Sequence, residues 1–217
     1  INTETERVFK EDVNYYGRLH GSYQNLSRQE RDTITFNGED TVEIDIKASH
    51  PSMLYAMMDY EVPDDVYDCT LINEYLAREY PEIPLLERGD YKLLMMVLIN
   101  SQSYVQMIKA LQFEKEWTSK FGTKSATIGV ITKFIQDCDK YEISSFFFSS
   151  QSLKLMLMES DLVLSVIEEL MDINIPCLTI HDSFIVPKDE MLLVVDIIAN
   201  KFYTKFGQYC HLKCENG

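Results

Sequence analysis

Residues 177–190 read CLTIHDSFIVPKDE. An apolar run, Cys177 to Ile180, ends in His181-Asp182-Ser183, and a second, Phe184 to Val186, stops at Pro187. Two short apolar runs parted by a polar triplet predict a β-hairpin, with Asp182 projecting from the sheet edge. Thr41–Ile46, TVEIDI, alternates in strand fashion after the turn-like NGED (Asn37–Asp40) and carries Asp45 near its end. Carboxylates at the ends of paired strands lie close together, where like charges are costly unless a cation sits between them. Magnesium suits such a place, because it takes carboxylate oxygens, waters and substrate phosphates. Two such ions can activate an attacking oxygen and stabilise a leaving one. Taken singly, each aspartate reads as a surface turn residue, since Asp favours turns.

Outward from these strands the pattern is mostly helical. Ser49–Tyr60 reads as a helix with a capping Ser and a Pro in its first turn. Arg88–Leu111 reads as one long apolar helix, followed by helices over Phe113–Phe121, Lys124–Tyr141 and Ser149–Ile173. After the hairpin come a helix over Lys188–Phe206 and a final strand over Gln208–Lys213. The predicted order is helix, strand, many helices, hairpin, helix, strand. It implies an α+β fold, a small antiparallel sheet with a helical insertion.

Composition narrows the function. The 217 residues allow one large domain or two closely joined ones. With 35 acidic against 20 basic residues, the net charge of −15 argues against a protein that merely coats nucleic acid. It leaves room for an enzyme that holds metal ions between carboxylates and meets nucleic acid on one local face. No apolar run is long enough to cross a bilayer, and the polar start INTETERVFKED is no signal peptide. The five cysteines, odd in number, read as reduced thiols in a cytoplasmic setting, bacterial or in a virus-infected host. CHLKC (Cys210, His211, Cys214) is half of a metal motif without its second pair, and core cysteines are the plainer reading. The first residue is not Met, which suggests a fragment of something longer.

Two further stretches carry chemistry. Arg88, Lys92, Met96 and Asn100 follow one another at i, i+4 spacing along one helix face, with Leu93, Leu94, Val97 and Leu98 as the buried side. An Arg fork and a Lys point charge so aligned suit a triphosphate, and a solvated polar face is the plainer alternative. Tyr15–Leu26, YYGRLHGSYQNL, mixes Gly, Arg, His, Gln and Asn with aromatics in a form too irregular for core. It reads as a nucleic-acid backbone contact or as an ordinary surface loop.

In order and spacing these segments resemble the family A DNA polymerases and the related single-subunit RNA polymerases, of a small mobile-element or viral type. VEIDIKASHPSML resembles motif A, RGDYKLLMMVLIN resembles motif B, and TIHDSFIVP resembles motif C. GRLHGSYQNL is similar to the segment that precedes motif A, and Ser149–Asp161, SSQSLKLMLMESD, lies where the family has a helix near the primer-template. The resemblance covers residues 15 to 190 and implies a palm over 1–62, fingers over 63–140, palm again over 141–217, and a thumb that is absent or minimal. It implies that Asp45 and Asp182 bind two Mg2+ ions, with Mn2+ as a substitute. Arg88, Lys92, Met96, Asn100 and His50 then meet the nucleotide, with Lys92 also catalytic. Arg18, Gln24, Asn25, Gln151 and His181 then meet the primer-template.

The chain departs from the family's usual residues. His50 stands where DNA polymerases usually have an acidic residue, Asn100 where they usually have an aromatic, and Met96 where many carry Phe. Ser183, after Asp182, looks more like the RNA polymerases. The expectation is a template-directed nucleotidyltransferase, DNA-making, that extends a primer. The alternatives are a primase or RNA polymerase using rNTPs, and a degenerate polymerase fold serving as a scaffold. An accessory subunit, or a further part of the chain, is expected to supply the grip of the thumb.

Overall fold

The computed structural model describes residues 4–10, 12–138 and 142–216. It divides into two compact units: residues 1–64 with 153–217, and residues 65–152. The first is therefore built from both flanks of the chain and the second is an insertion. Residues 142–152, grouped with the C-terminal palm in the sequence reading, belong to the inserted unit.

The first unit begins with an antiparallel pair, β1 (Thr5–Val8) and β2 (Arg18–Gly21). A 3-10 turn over Ser22–Asn25 and the short helix α1 (Arg28–Arg31) lead to β3 (Thr35–Phe36) and β4 (Glu39–Ile46). No helix precedes the first strands among the described residues, contrary to the predicted order. At the turn from β3 to β4, Asn37 and Gly38 both take positive φ (53° and 88°), the backbone that a two-residue Asn-Gly hairpin requires.

Helix α2 follows over Ser49–Met57. Its N-cap is Ala48, in the left-handed conformation (φ 48°, ψ 48°), without a side-chain cap. Ser49 is thus the first helical residue and not the predicted cap.

The inserted unit is helical: α3 (Thr70–Glu79), α4 (Arg88–Asn100), α5 (Tyr104–Phe113), α6 (Lys115–Phe121) and α7 (Ser125–Asp137), then a 3-10 turn over Glu142–Phe146. The single long helix predicted over 88–111 is two helices. Ser101 leaves α4 with extended backbone, and Ser103 caps α5 by accepting a hydrogen bond from the Gln106 amide at 3.3 Å. A serine that can cap its own chain competes with continuing the helix. The buried side of α4 is Tyr91, Leu94, Met95, Leu98 and Ile99, while Leu93 and Val97 are half-buried.

Helix α8 (Ser152–Asp172) leads into the hairpin β5 (Leu178–Ile180) and β6 (Ser183–Pro187). Helix α9 (Met191–Phe206) ends on Gly207 at φ 86°, the left-handed helix exit that glycine favours. The last strand, β7, spans Leu212–Asn216, later than predicted. All pairings in this sheet are antiparallel. Strand β4 is central, with β6 and then β5 on one side, and β3 and β7 on the other.

Alternation along β4 gives the sheet two faces. Val42, Ile44 and Ile46 are 1% exposed or less, and Phe184 and Val186 lie opposite Ile44 and Val42 on the same face, where α9 packs. Burying each such side chain contributes about 2 kcal/mol, so this face anchors the strands. The other face carries Glu43 and Asp45. There Ile185 and Leu178 pack with Tyr23 and Ile34, which makes Tyr23 core, against the reading of residues 15–26 as too irregular for it. Among the described residues no helix is long and apolar enough to cross a membrane.

Candidate active site

Asp45 is the penultimate residue of β4 and pairs with Ser183, the first residue of β6. The Ser183 hydroxyl donates to Asp45 Oδ1 at 2.8 Å. The next amide, that of Ile46, donates to the Asp182 carbonyl at 3.2 Å, which fastens the hairpin crest to the end of β4. His181 holds the first turn position at φ 56°, a left-handed backbone that costs a non-glycine residue about 1 kcal/mol or more. The sheet's apolar anchoring holds that strain and presents Asp182 beside Asp45.

The electrostatics follow from this crowding. Asp182 is pushed up to about 7 by burial, by the charge of Glu159 and by that of Asp45. Asp45 is raised by burial, against which the Ser183 hydrogen bond works. His181 is lowered, by burial and then by the nearby Arg18 charge. Among the described residues no group of three or more His, Cys, Asp and Glu side chains converges on a metal position. The carboxylates that meet at this edge are the aspartate pair. Two hard carboxylates that repel one another fit Mg2+, which is held through one or two protein carboxylates with waters and phosphates completing its shell. Cys210 is buried, Cys214 is exposed, and His211 Nε2 lies 2.9 Å from the Val62 carbonyl, so CHLKC does not assemble as a site.

Glu159, on α8, is the residue that reading the sequence missed. It is 2% exposed, yet Arg18 Nη2 lies 2.6 Å from its Oε1, and Ser49 Oγ donates to its Oε2 at 3.3 Å. His50 Nε2 is 3.0 Å from the same Oε2, off-line for a hydrogen bond, and Nδ1 has no partner. Burial alone would raise Glu159, but His50 and Arg18 beside it outweigh that and hold it below the usual glutamate range. The available signal was its register: Leu155, Glu159, Leu162, Val163 and Val166 share the buried stripe of α8, and a lone glutamate there needs a partner.

The remaining first-unit residues are placed as follows. His50, expected at the nucleotide, is 7% exposed and turned onto Glu159. Arg18 is mostly buried and its Nε has no partner. Gln24 is a fastener: Nε2 donates to the Thr179 carbonyl at 2.9 Å, and Oε1 accepts from the Gly21 amide at 3.3 Å. Asn25 and His181 are exposed. Gly17, just before Arg18, sits at φ 58°, and a Cβ there would lie 2.5 Å from Leu157 Cδ1. The left-handed backbone is what calls for glycine here, since the end of the Leu157 side chain could turn aside from a Cβ.

In the inserted unit, Arg88 forks onto Asp65 (Nε–Oδ2 2.8 Å, Nη2–Oδ1 2.9 Å), with its guanidinium 5.2 Å from the centre of the Tyr67 ring. The Asp65 hydrogen bond raises its pKa further. Lys92 is exposed, with Nζ 5.7 Å from the same ring centre. The two cations therefore share one ring. Met96 and Asn100 are half-buried on the same helix, with Asn100 Oδ1 buried and unpartnered. Gln151 belongs to this unit and not to the body of α8. Its Nε2 donates to Ser149 Oγ at 2.9 Å, and its amide donates to the Ile99 carbonyl at 3.1 Å.

No protein-family model matches the sequence, and no curated protein matches it. Among solved structures, the chain is similar to the POL domain of Pol1 from M. smegmatis in complex with DNA primer-template and dNTP. The TM-score is 0.50 at 12% identity, over 97% of this chain and 46% of that one. The fold is polymerase-like. The chain spans less than half the length of that polymerase chain.

Proposed function

We propose that this chain is a template-directed nucleotidyltransferase that extends a DNA primer from dNTPs. The observation that carries the reading is the presentation of Asp45 and Asp182 at neighbouring ends of β4 and the β5–β6 hairpin, within a polymerase-like fold. Asp45 and Asp182 would hold two Mg2+ ions, with Mn2+ able to substitute. When bound, such ions supply activation of the primer 3′-oxygen and neutralise charge at the α-phosphate. Ser183 fixes the orientation of the Asp45 carboxylate through its hydrogen bond. Arg88 and Lys92 bind the triphosphate, for which Arg88 exchanges Asp65 for phosphate oxygens. Lys92 stabilises the departing pyrophosphate, and Met96, Asn100 and His50 shape the nucleotide's surroundings. Arg18, Gln24, Asn25, Gln151 and His181 border the primer-template. A thumb-like grip comes from an accessory protein or a further part of the polypeptide.

A second reading, a primase or RNA polymerase using rNTPs, is favoured by Ser183. Its hydroxyl occupies the position after Asp182 and is committed to Asp45. The test is Mg2+-dependent extension on a DNA template with dNTPs or rNTPs, with and without primer. Primed dNTP incorporation, lost in Asp45→Ala and Asp182→Ala while both variants remain folded, is the expected result. Incorporation of rNTPs without primer selects the second reading. No incorporation of either, with nucleic acid still bound, would leave a scaffold and end the enzymatic reading.

A further inference from the structure

We propose that Glu159 is the positioning residue of this site: its carboxylate holds the Arg18 guanidinium in one orientation beside the His181–Asp182 turn, so that Arg18 meets the nucleic-acid strand as a fixed donor. The second half of this proposal rests on the polymerase reading; the first half does not.

The argument starts from burial. A glutamate 2% exposed inside an apolar helix stripe is retained only with strong partners. Glu159 gathers them from two other segments: Arg18 from β2, and Ser49 and His50 from the start of α2. The Arg18 contact, at 2.6 Å, joins full charges through a hydrogen bond, the strongest kind of polar contact. Arg18 itself is not saturated. Its Nε is buried and has no partner, although nearly all buried N–H groups find one.

A cavity of about 10 Å³ adjoins this cluster, lined by Arg18, Glu159, Thr179 and His181 among others. That is room for one water or the edge of a ligand group. The backbone on either side of Arg18 is fixed as well. The Gly17 carbonyl accepts from Arg7 Nε at 2.8 Å and from the Ser160 hydroxyl, and Tyr23 and Gln24 are tied to Thr179. The chain thus holds the Arg18 backbone by hydrogen bonds and its side chain by Glu159, and leaves one polar edge unspent next to the turn that carries Asp182.

The test uses Glu159→Gln, Arg18→Lys and the double variant. In 15N-arginine-labelled wild type, the Arg18 Nε–H signal, identified by its loss in Arg18→Lys, should be sharp and slow to exchange. In Glu159→Gln it should broaden, while the backbone amide spectrum stays native. A mobile Arg18 signal in the wild type, or one unmoved by Glu159→Gln, overturns the proposal, and the wild-type measurement decides even if the variant does not fold. Glu159→Gln should slow single-turnover extension by up to about 100-fold, the order of loss that a small misplacement of a positioning group brings. In the Arg18→Lys background the same change should cost little more, because the two act as a unit. Additive losses overturn the coupling to the strand. A wild type that extends no primer at all refutes the polymerase reading alone, since the Nε–H signal still judges Glu159.

Discussion

Asp182 binds a proton more tightly in the folded chain than in the unfolded one. Its folded value near 7 lies above the ordinary 3.8 because burial, Glu159 and Asp45 disfavour its charge. Between those limits the native state binds more protons, so stability falls as pH rises from 4 to 7 in metal-free buffer, by up to about 4 kcal/mol. Denaturant melts of wild type and Asp182→Asn over that range check this. The variant should lose most of the decline, and Mg2+ at neutral pH should restore stability to the wild type only. Parallel curves would remove the strain assigned to this carboxylate. At this scale the placement of the two aspartates at the sheet edge was legible because each lies near the end of a strand-like run, a local pattern. Glu159 was not, because its meaning depends on Arg18, 141 residues away, and no local pattern records such a pairing. The contact of His50 with Glu159 was hidden for the same reason: its neighbour in space is on α8.

Elements announce themselves by period, and their ends by caps. The hydrophobic period of residues 88–111 runs on through the joint between α4 and α5, so the break went unseen there, although Ser103 and Gln106 already carried the signal of a cap. Ser103→Ala should therefore lower stability by about 1 kcal/mol, read as a shift in denaturant midpoint with an unchanged slope. An unmoved midpoint would show that the joint is held by packing instead. The turn before β4 was legible for the opposite reason, although its partner strand β3 was not predicted: Asn37-Gly38 dictates the backbone there without help from the rest of the fold. Strand β7 was placed too early because Tyr209 and Cys210 are as strand-prone as the residues that form it. What selects Leu212–Asn216 is the free edge of β4, which composition does not describe.

The whole molecule carries a net charge of −15, and this bears on how it can hold a duplex. Phosphate contacts draw affinity from counterion release, and a strongly acidic chain supplies few of them. On the proposed function, the isolated 217-residue chain should bind primer-template weakly and lose it as salt rises. A basic partner should lengthen products more than it speeds a single addition, because it acts on dissociation. Product length under single-hit conditions at low and moderate salt measures this, and long products from the chain alone at moderate salt would show that no partner is needed. The central position of β4 has a different consequence, for how the protein is made. Asp45 and Ser183 meet across 138 residues, and Val42 pairs with Asn216. A nascent chain therefore carries Val42, Ile44 and Ile46 into the cell long before the strands that cover them are translated. The inserted unit is contiguous and helical, and such units mature faster than sheets closed across long separations. Trp117, the single tryptophan, is buried in that unit, and Cys210 is buried in the other. During refolding, Trp117 fluorescence should recover well before Cys210 becomes protected from pulsed alkylation. In the cell, the interval between those two events is when the chain most needs a chaperone.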